Sequence, residues 1–132
     1  MRATRIILIV LGLVALEVGV WAQFFPRSFY DDFPGGGRVW VSVDGPFNEH
    51  LVRDVGGLNL ALAAVSLIGA ATLSIWVVRS AAIGWLLYGL PHLIYHLTNL
   101  DAYETSDQVA QSVSLAIPVV AGIAILVITR KE

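Results

Sequence analysis

Hydrophobic positions gather in four long runs separated by short polar stretches. Residues 6–25 (IILIVLGLVALEVGVWAQFF) hold one charge, Glu17. Residues 51–78 run apolar after an opening Arg53-Asp54, and residues 81–100 contain His92 and His96 but no Asp, Glu, Lys or Arg. Residues 109–129 form the fourth run, with Pro118 near its middle. A hydrocarbon core about 30 Å thick needs roughly 20 apolar residues in a helix, so each run predicts a membrane span. The expected fold is all-α: a single-domain integral membrane four-helix bundle over residues 1–132, with a long first extracytoplasmic loop. No internal repeat is evident. The first run has a signal-peptide look, with Arg2 and Arg5 ahead of it, but Glu17 interrupts what would be a neutral stretch. A retained helix is expected there.

Composition narrows the class further. Of 132 residues, 57% are hydrophobic and only 14% charged, with a mean hydropathy of +0.76; a soluble domain carries about 25% charge. This excludes a soluble enzyme. With 8 Lys+Arg against 10 Asp+Glu, no basic patch is available for a phosphate backbone, so no nucleic-acid partner is expected. The absence of Cys removes disulfides, thiolate metal sites and iron–sulfur clusters.

Basic residues set the expected orientation. Arg2, Arg5, Arg79, Arg130 and Lys131 fall on one side. Arg27 and Arg38 fall on the other among Asp31, Asp32, Asp44, Glu49, Asp101, Glu104 and Asp107. A multi-pass protein of the cell membrane with both termini cytoplasmic follows. Its partners are then the lipid bilayer and, where it assembles, other membrane subunits or copies of itself. The inner link is expected as a tight hairpin at Arg79-Ser80.

Residues 26–50 are long enough for structure of their own. Turn chemistry stands at Phe33-Pro34-Gly35-Gly36-Gly37 and Asp44-Gly45-Pro46, and the alternation from Arg38 to Val43 suits a short extended segment. Phe24, Phe25, Phe29, Tyr30, Phe33 and Trp40 suit the headgroup zone. The segment reads as a lid over the helix ends.

Ionisable groups inside a span cost about 2.5–3.5 kcal/mol each on insertion scales and usually face the bundle interior. At about 1.5 Å per residue, Glu17 and His92 both lie about 16 Å from the cytoplasmic ends. Tyr88, His92, His96 and Asn99 share one helix face through i, i+4 and i, i+3 spacing, with Tyr95 beside them. Glu17 meets this stripe if the first and third spans are neighbours. At the outer mouth of the second span, Glu49 and Arg53 form one i, i+4 pair, and His50 and Asp54 another. Gln108, Gln111, Ser112 and Ser114 make the outer half of the fourth span polar. Pro91 disturbs the third helix beside His92, and Pro118 frees the carbonyl of Ser114. The candidate pocket is therefore Glu17, His50, Arg53, Asp54, Tyr88, His92, Tyr95, His96 and Asn99, opening outward beneath the loop. Gly56-Gly57 with Ala61, Ala63 and Ala64, and Gly84 with Gly89, mark close helix contacts.

Three readings of the polar stripe stay open. The groups can be interhelical glue. His92 and His96, an HxxxH pair with Glu17 as a third ligand, can hold a zinc, iron or copper ion; that would make the chain a membrane metalloprotein, an oxidoreductase or hydroxylase. Or the pocket can bind a lipid, quinone or other apolar molecule.

Chain size, the long first outer loop and the segment Asn48-Glu49-His50-Leu51-Val52-Arg53-Asp54-Val55-Gly56 at the second span resemble small four-helix bacterial membrane proteins of the DoxX-like kind. The resemblance implies four spans and supplies no catalytic residues. The function expected first is that of a small accessory or binding protein with an outward-facing His/Glu pocket, the metalloprotein being the alternative.

Overall fold

A computed structural model describes residues 1–131. Helix α1 runs Arg2–Phe24 and the short α2 Pro26–Asp32; α3 spans Glu49–Thr72, α4 Ile75–Thr98 and α5 Thr105–Ile128. The four longer helices are each long and apolar enough to cross a membrane. The protein is a multi-pass helical bundle, as the four runs require.

The link between the second and third spans differs from the expectation. It lies at Leu73-Ser74, six residues before Arg79-Ser80, so the second span is 49–72 and the third 75–98 rather than 51–78 and 81–100. Leu73 takes the left-handed conformation (φ 51°) that ends a helix, its N–H donating to the Gly69 carbonyl. The Thr72 hydroxyl donates to Ile68 O at 2.8 Å and accepts from the Ser74 N–H at 3.3 Å, closing the turn. Arg79 instead sits inside α4 and reaches back to the Thr129 carbonyl at the end of α5. A charge near a span end marks an interface; it does not mark where the backbone turns.

Chain order becomes neighbour order. α1 lies along α3, α3 meets α4, and α4 lies along α5, while α1 and α5 touch less. Missing side chains permit the closest approaches. A Cβ on Gly56 would stand 2.8 Å from the Cα of Gln23, one on Gly19 2.9 Å from the Leu60 N, and one on Gly122 3.1 Å from the Ala82 carbonyl. Lipid offers helices little hydrophobic drive to associate, so such contacts carry much of the packing.

The core fills the end of the bundle where the α3–α4 hairpin lies (the hairpin end). Leu8, Leu11 and Ala15 of α1 meet Leu62, Ala63 and Ala70 of α3, Val78, Ala81, Ala82 and Trp85 of α4, and Ile125 of α5. Trp85 satisfies its buried indole by donating to Ser66 Oγ at 2.9 Å. Three arginines cap neighbouring helices by donating to carbonyls near their C-terminal ends: Arg5 to Ala70, Arg53 to Gln23 and Arg79 to Thr129. Those carbonyls have no intrahelical donor or lie near the negative end of a helix dipole.

At the opposite, loop end, the 26–50 segment is folded. Pro26 opens α2 at the helix position where proline fits best. Pro34–Gly35 and Arg38–Val39 then pair antiparallel as β1 and β2. The extended stretch stops at Val39 rather than continuing to Val43. Trp21, Phe29, Phe33 and Trp40 stack in sequence, and Ala22, Phe29 and Val52 are buried beneath. Tyr30 donates to Gly45 O at 2.6 Å. Across the bundle, Arg38 pairs with Asp107 at the start of α5. The loop thereby joins the α1–α3 half to the α4–α5 half.

Candidate functional site

The stripe on α4 forms as its spacing requires. Tyr88 and His92 have ring centroids 5.3 Å apart, His92 and His96 4.9 Å, and Tyr95 and His96 5.5 Å. Both histidines are half-buried. α4 stays helical through Pro91. At the lower end of the stripe, Asn59 of α3, 3% exposed, donates to Val55 O at 2.9 Å and lies 3.4 Å from the Tyr88 hydroxyl. The polar line thus runs from the middle of α3 up α4.

Tyr103, in the link between α4 and α5, receives the line at the loop end. Its hydroxyl stands 2.9 Å from both the Trp40 carbonyl and Asp44 Oδ1. Burial pushes this phenol well above its ordinary range, and the Asp44 carboxylate that accepts its hydrogen bond pushes it further. Gln111 of α5 stands close enough to Tyr103 to influence that phenol, yet outside hydrogen-bond geometry. Gln111 is 1% exposed, and among the described residues neither its Nε2 nor its Oε1 meets a partner within hydrogen-bond geometry. Trp40 Nε1 and His96 Nδ1 are also buried without partners among the described residues. Above the histidines, a cleft of about 300 Å³ opens between the loop and the end of α4, lined by Val43, Asp44, Tyr95, Thr98, Asn99, Asp101 and Ala102.

Several expected members stand elsewhere. Glu17 does not meet the histidines. α1 is the neighbour of α3, not of α4, and Glu17 lies on the exposed face of α1 with no hydrogen bond or ion pair to a described residue. The reason is helical phase: Leu8, Leu11, Gly12, Ala15, Gly19 and Ala22 are the buried face of α1, and Glu17 projects from the other. The ligand set of His92, His96 and Glu17 is therefore not assembled, and among the described residues no three His, Asp or Glu side chains converge as a metal site. His50 and Asp54 form their i, i+4 pair at 3.1 Å, but with side chains 86% and 65% exposed on the outer rim of α3. Arg53 pairs with Glu49 at 2.8 Å and caps α1 through Gln23; its role there is structural. Asn99 caps α4, donating to Tyr95 O at 2.8 Å, and borders the cleft.

Asn59, Tyr103 and Asp44 were not singled out by spacing. Asn59 carried a signal, as a lone amide in an apolar stretch. Tyr103 and Asp44 sit in connecting segments, where no periodicity points to a shared site. Comparison with known protein families, curated proteins and solved structures yields no match.

Proposed function

We propose that this chain is a small membrane accessory or binding protein whose loop end takes a membrane-soluble molecule with a hydrogen-bonding head, such as a lipid or quinone. One observation carries the reading: Gln111, almost fully buried beside Tyr103, meets no hydrogen-bond partner among the described residues for either its donor or its acceptor. Burying an amide unpartnered costs about 1–3 kcal/mol by protein mutational data, so a guest that supplies both partners gains that much over an empty site. His96 Nδ1 on α4 adds a further position without a partner among the described residues, and the cleft lined by Tyr95 and Asn99 opens at the same end of the bundle. His92 and His96 would orient the head and exchange its proton.

The reading places both termini in the cytoplasm, supported by Arg2, Arg5, Arg79 and Arg130 at the hairpin end against the acidic loop end. The ligand would then enter from outside, beneath the loop.

Mass spectrometry of the protein purified in mild detergent tests the proposal. The wild type should carry a stoichiometric small molecule. Gln111→Leu, and separately the double change His92→Ala with His96→Ala, should cut its occupancy about tenfold or more, as expected when one or two hydrogen bonds are lost. A Gln111→Leu protein that is more heat-stable, with every co-purifying species unchanged, would leave Gln111 a packing defect and end the proposal.

A further inference from the structure

Glu17 lies fifteen residues along α1 from Arg2, about 22 Å at the helical rise and about 10 Å short of Phe24, so it stands within the span. Its surroundings are apolar: Leu13, Leu16, Val20, Trp21 and Phe25 form with it a surface groove of about 520 Å³. Leu13, Val14, Leu16 and Val20 on this side of α1 are all exposed, as lipid-facing positions are.

Intramembrane carboxylates face a bundle interior or a water-filled cavity, or pair with another group, almost without exception. Glu17 does none of these among the described residues. We infer that the groove is itself half of an interior, completed by a transmembrane helix of another membrane protein that carries an Arg or Lys level with Glu17. Two features favour a cation over a second copy of this chain. A symmetric pair would set Glu17 against Glu17, like charge against like in a low dielectric. And Trp21 and Phe25 line the groove with the carboxylate, and aromatic rings attract a guanidinium or ammonium. Arg suits the site better, since its planar group can bond a carboxylate and stack on an aromatic ring together.

The surface is separate from the site on α4 and α5, and its test does not depend on that site. The full-length chain, in phosphatidylcholine vesicles, is titrated with a leucine-rich transmembrane peptide bearing one Arg at the matching depth, and with the same peptide bearing Leu there. Energy transfer between labels reports association. The Arg peptide should bind about tenfold or more tightly than the Leu peptide, an advantage set by pairing a charge otherwise left in hydrocarbon. Glu17→Leu should erase the difference, and Glu17→Lys should transfer the preference to a peptide bearing Glu. Because Glu17 is exposed and makes no hydrogen bond or ion pair to a described residue, all three proteins should melt together in detergent, which keeps misfolding out of the comparison. Equal binding of both peptides by the wild type overturns the inference. So does cross-linking of the chain to itself that disappears in Glu17→Leu, since the occupant would then be a second copy.

Discussion

Tyr103 ties the loop to the α4–α5 link through one hydroxyl. Removing it in Tyr103→Phe keeps the ring and deletes the contacts to Asp44 and the Trp40 carbonyl. Thermal melts in detergent should show a loss of about 1–3 kcal/mol, as for a partly buried hydrogen bond to a charged group. The phenol also gives the fold a pH limit. Its folded pKa is raised, so the neutral form is the one the fold stabilises, and the stabilisation is complete below the unfolded value near 10. Above about pH 10 the unfolded chain ionises while the folded one does not, and stability falls. Wild-type melting should therefore drop in that range, and Tyr103→Phe should drop less. Equal slopes in the two proteins would mean the phenol is not held as described.

At the scale of elements, small residues set how near the helices come. Gly56 and Gly57 are adjacent, yet they differ in what surrounds them. A Cβ on Gly56 meets the backbone of Gln23, which cannot swing aside, whereas one on Gly57 would lie 3.6 Å from the end of the Gln23 side chain. Gly56→Ala should thus push α1 from α3 and destabilise by about 1–3 kcal/mol, the usual effect of overpacking. Gly57→Ala should be neutral or slightly stabilising, because Ala is the better helix former by about 1 kcal/mol. Detergent melts of the two single variants decide it, and similar losses in both would place the α1–α3 contact elsewhere. The Gly56-Gly57 pair was legible in the sequence as a contact point. Which glycine touches was not, because that depends on the rotation of α3 about its axis.

For the whole molecule, the uneven charge of the two ends leads to a topology. Cysteines at Ser42 and Ser106, at the loop end, should react in intact cells with a membrane-impermeant thiol reagent. One at Ser74, in the α3–α4 turn, should react only after lysis. The reverse pattern would invert the chain in the bilayer. The loop end also joins two halves, through Arg38 with Asp107 and Tyr103 with Asp44, whereas the hairpin end is joined mainly by apolar packing, with the Trp85–Ser66 hydrogen bond inside it.

The number of spans, their approximate positions and the stripe of Tyr88, His92 and His96 were determined by the sequence alone. Those properties are local: transfer into hydrocarbon depends on a run of some 20 residues, and a shared face needs only 3.6 residues per turn. The turn at Leu73-Ser74 was decided by backbone conformation and a threonine hydroxyl, which hydropathy does not register. The partners of the stripe were decided by tertiary structure. Nothing in a one-dimensional pattern says that α1 lies beside α3 and not α4, and that choice turned Glu17 outward. The same packing buried Gln111 beside Tyr103. Contacts between distant segments depend on the order and rotation of the helices around the bundle, which close-packed small residues set collectively and no single segment specifies.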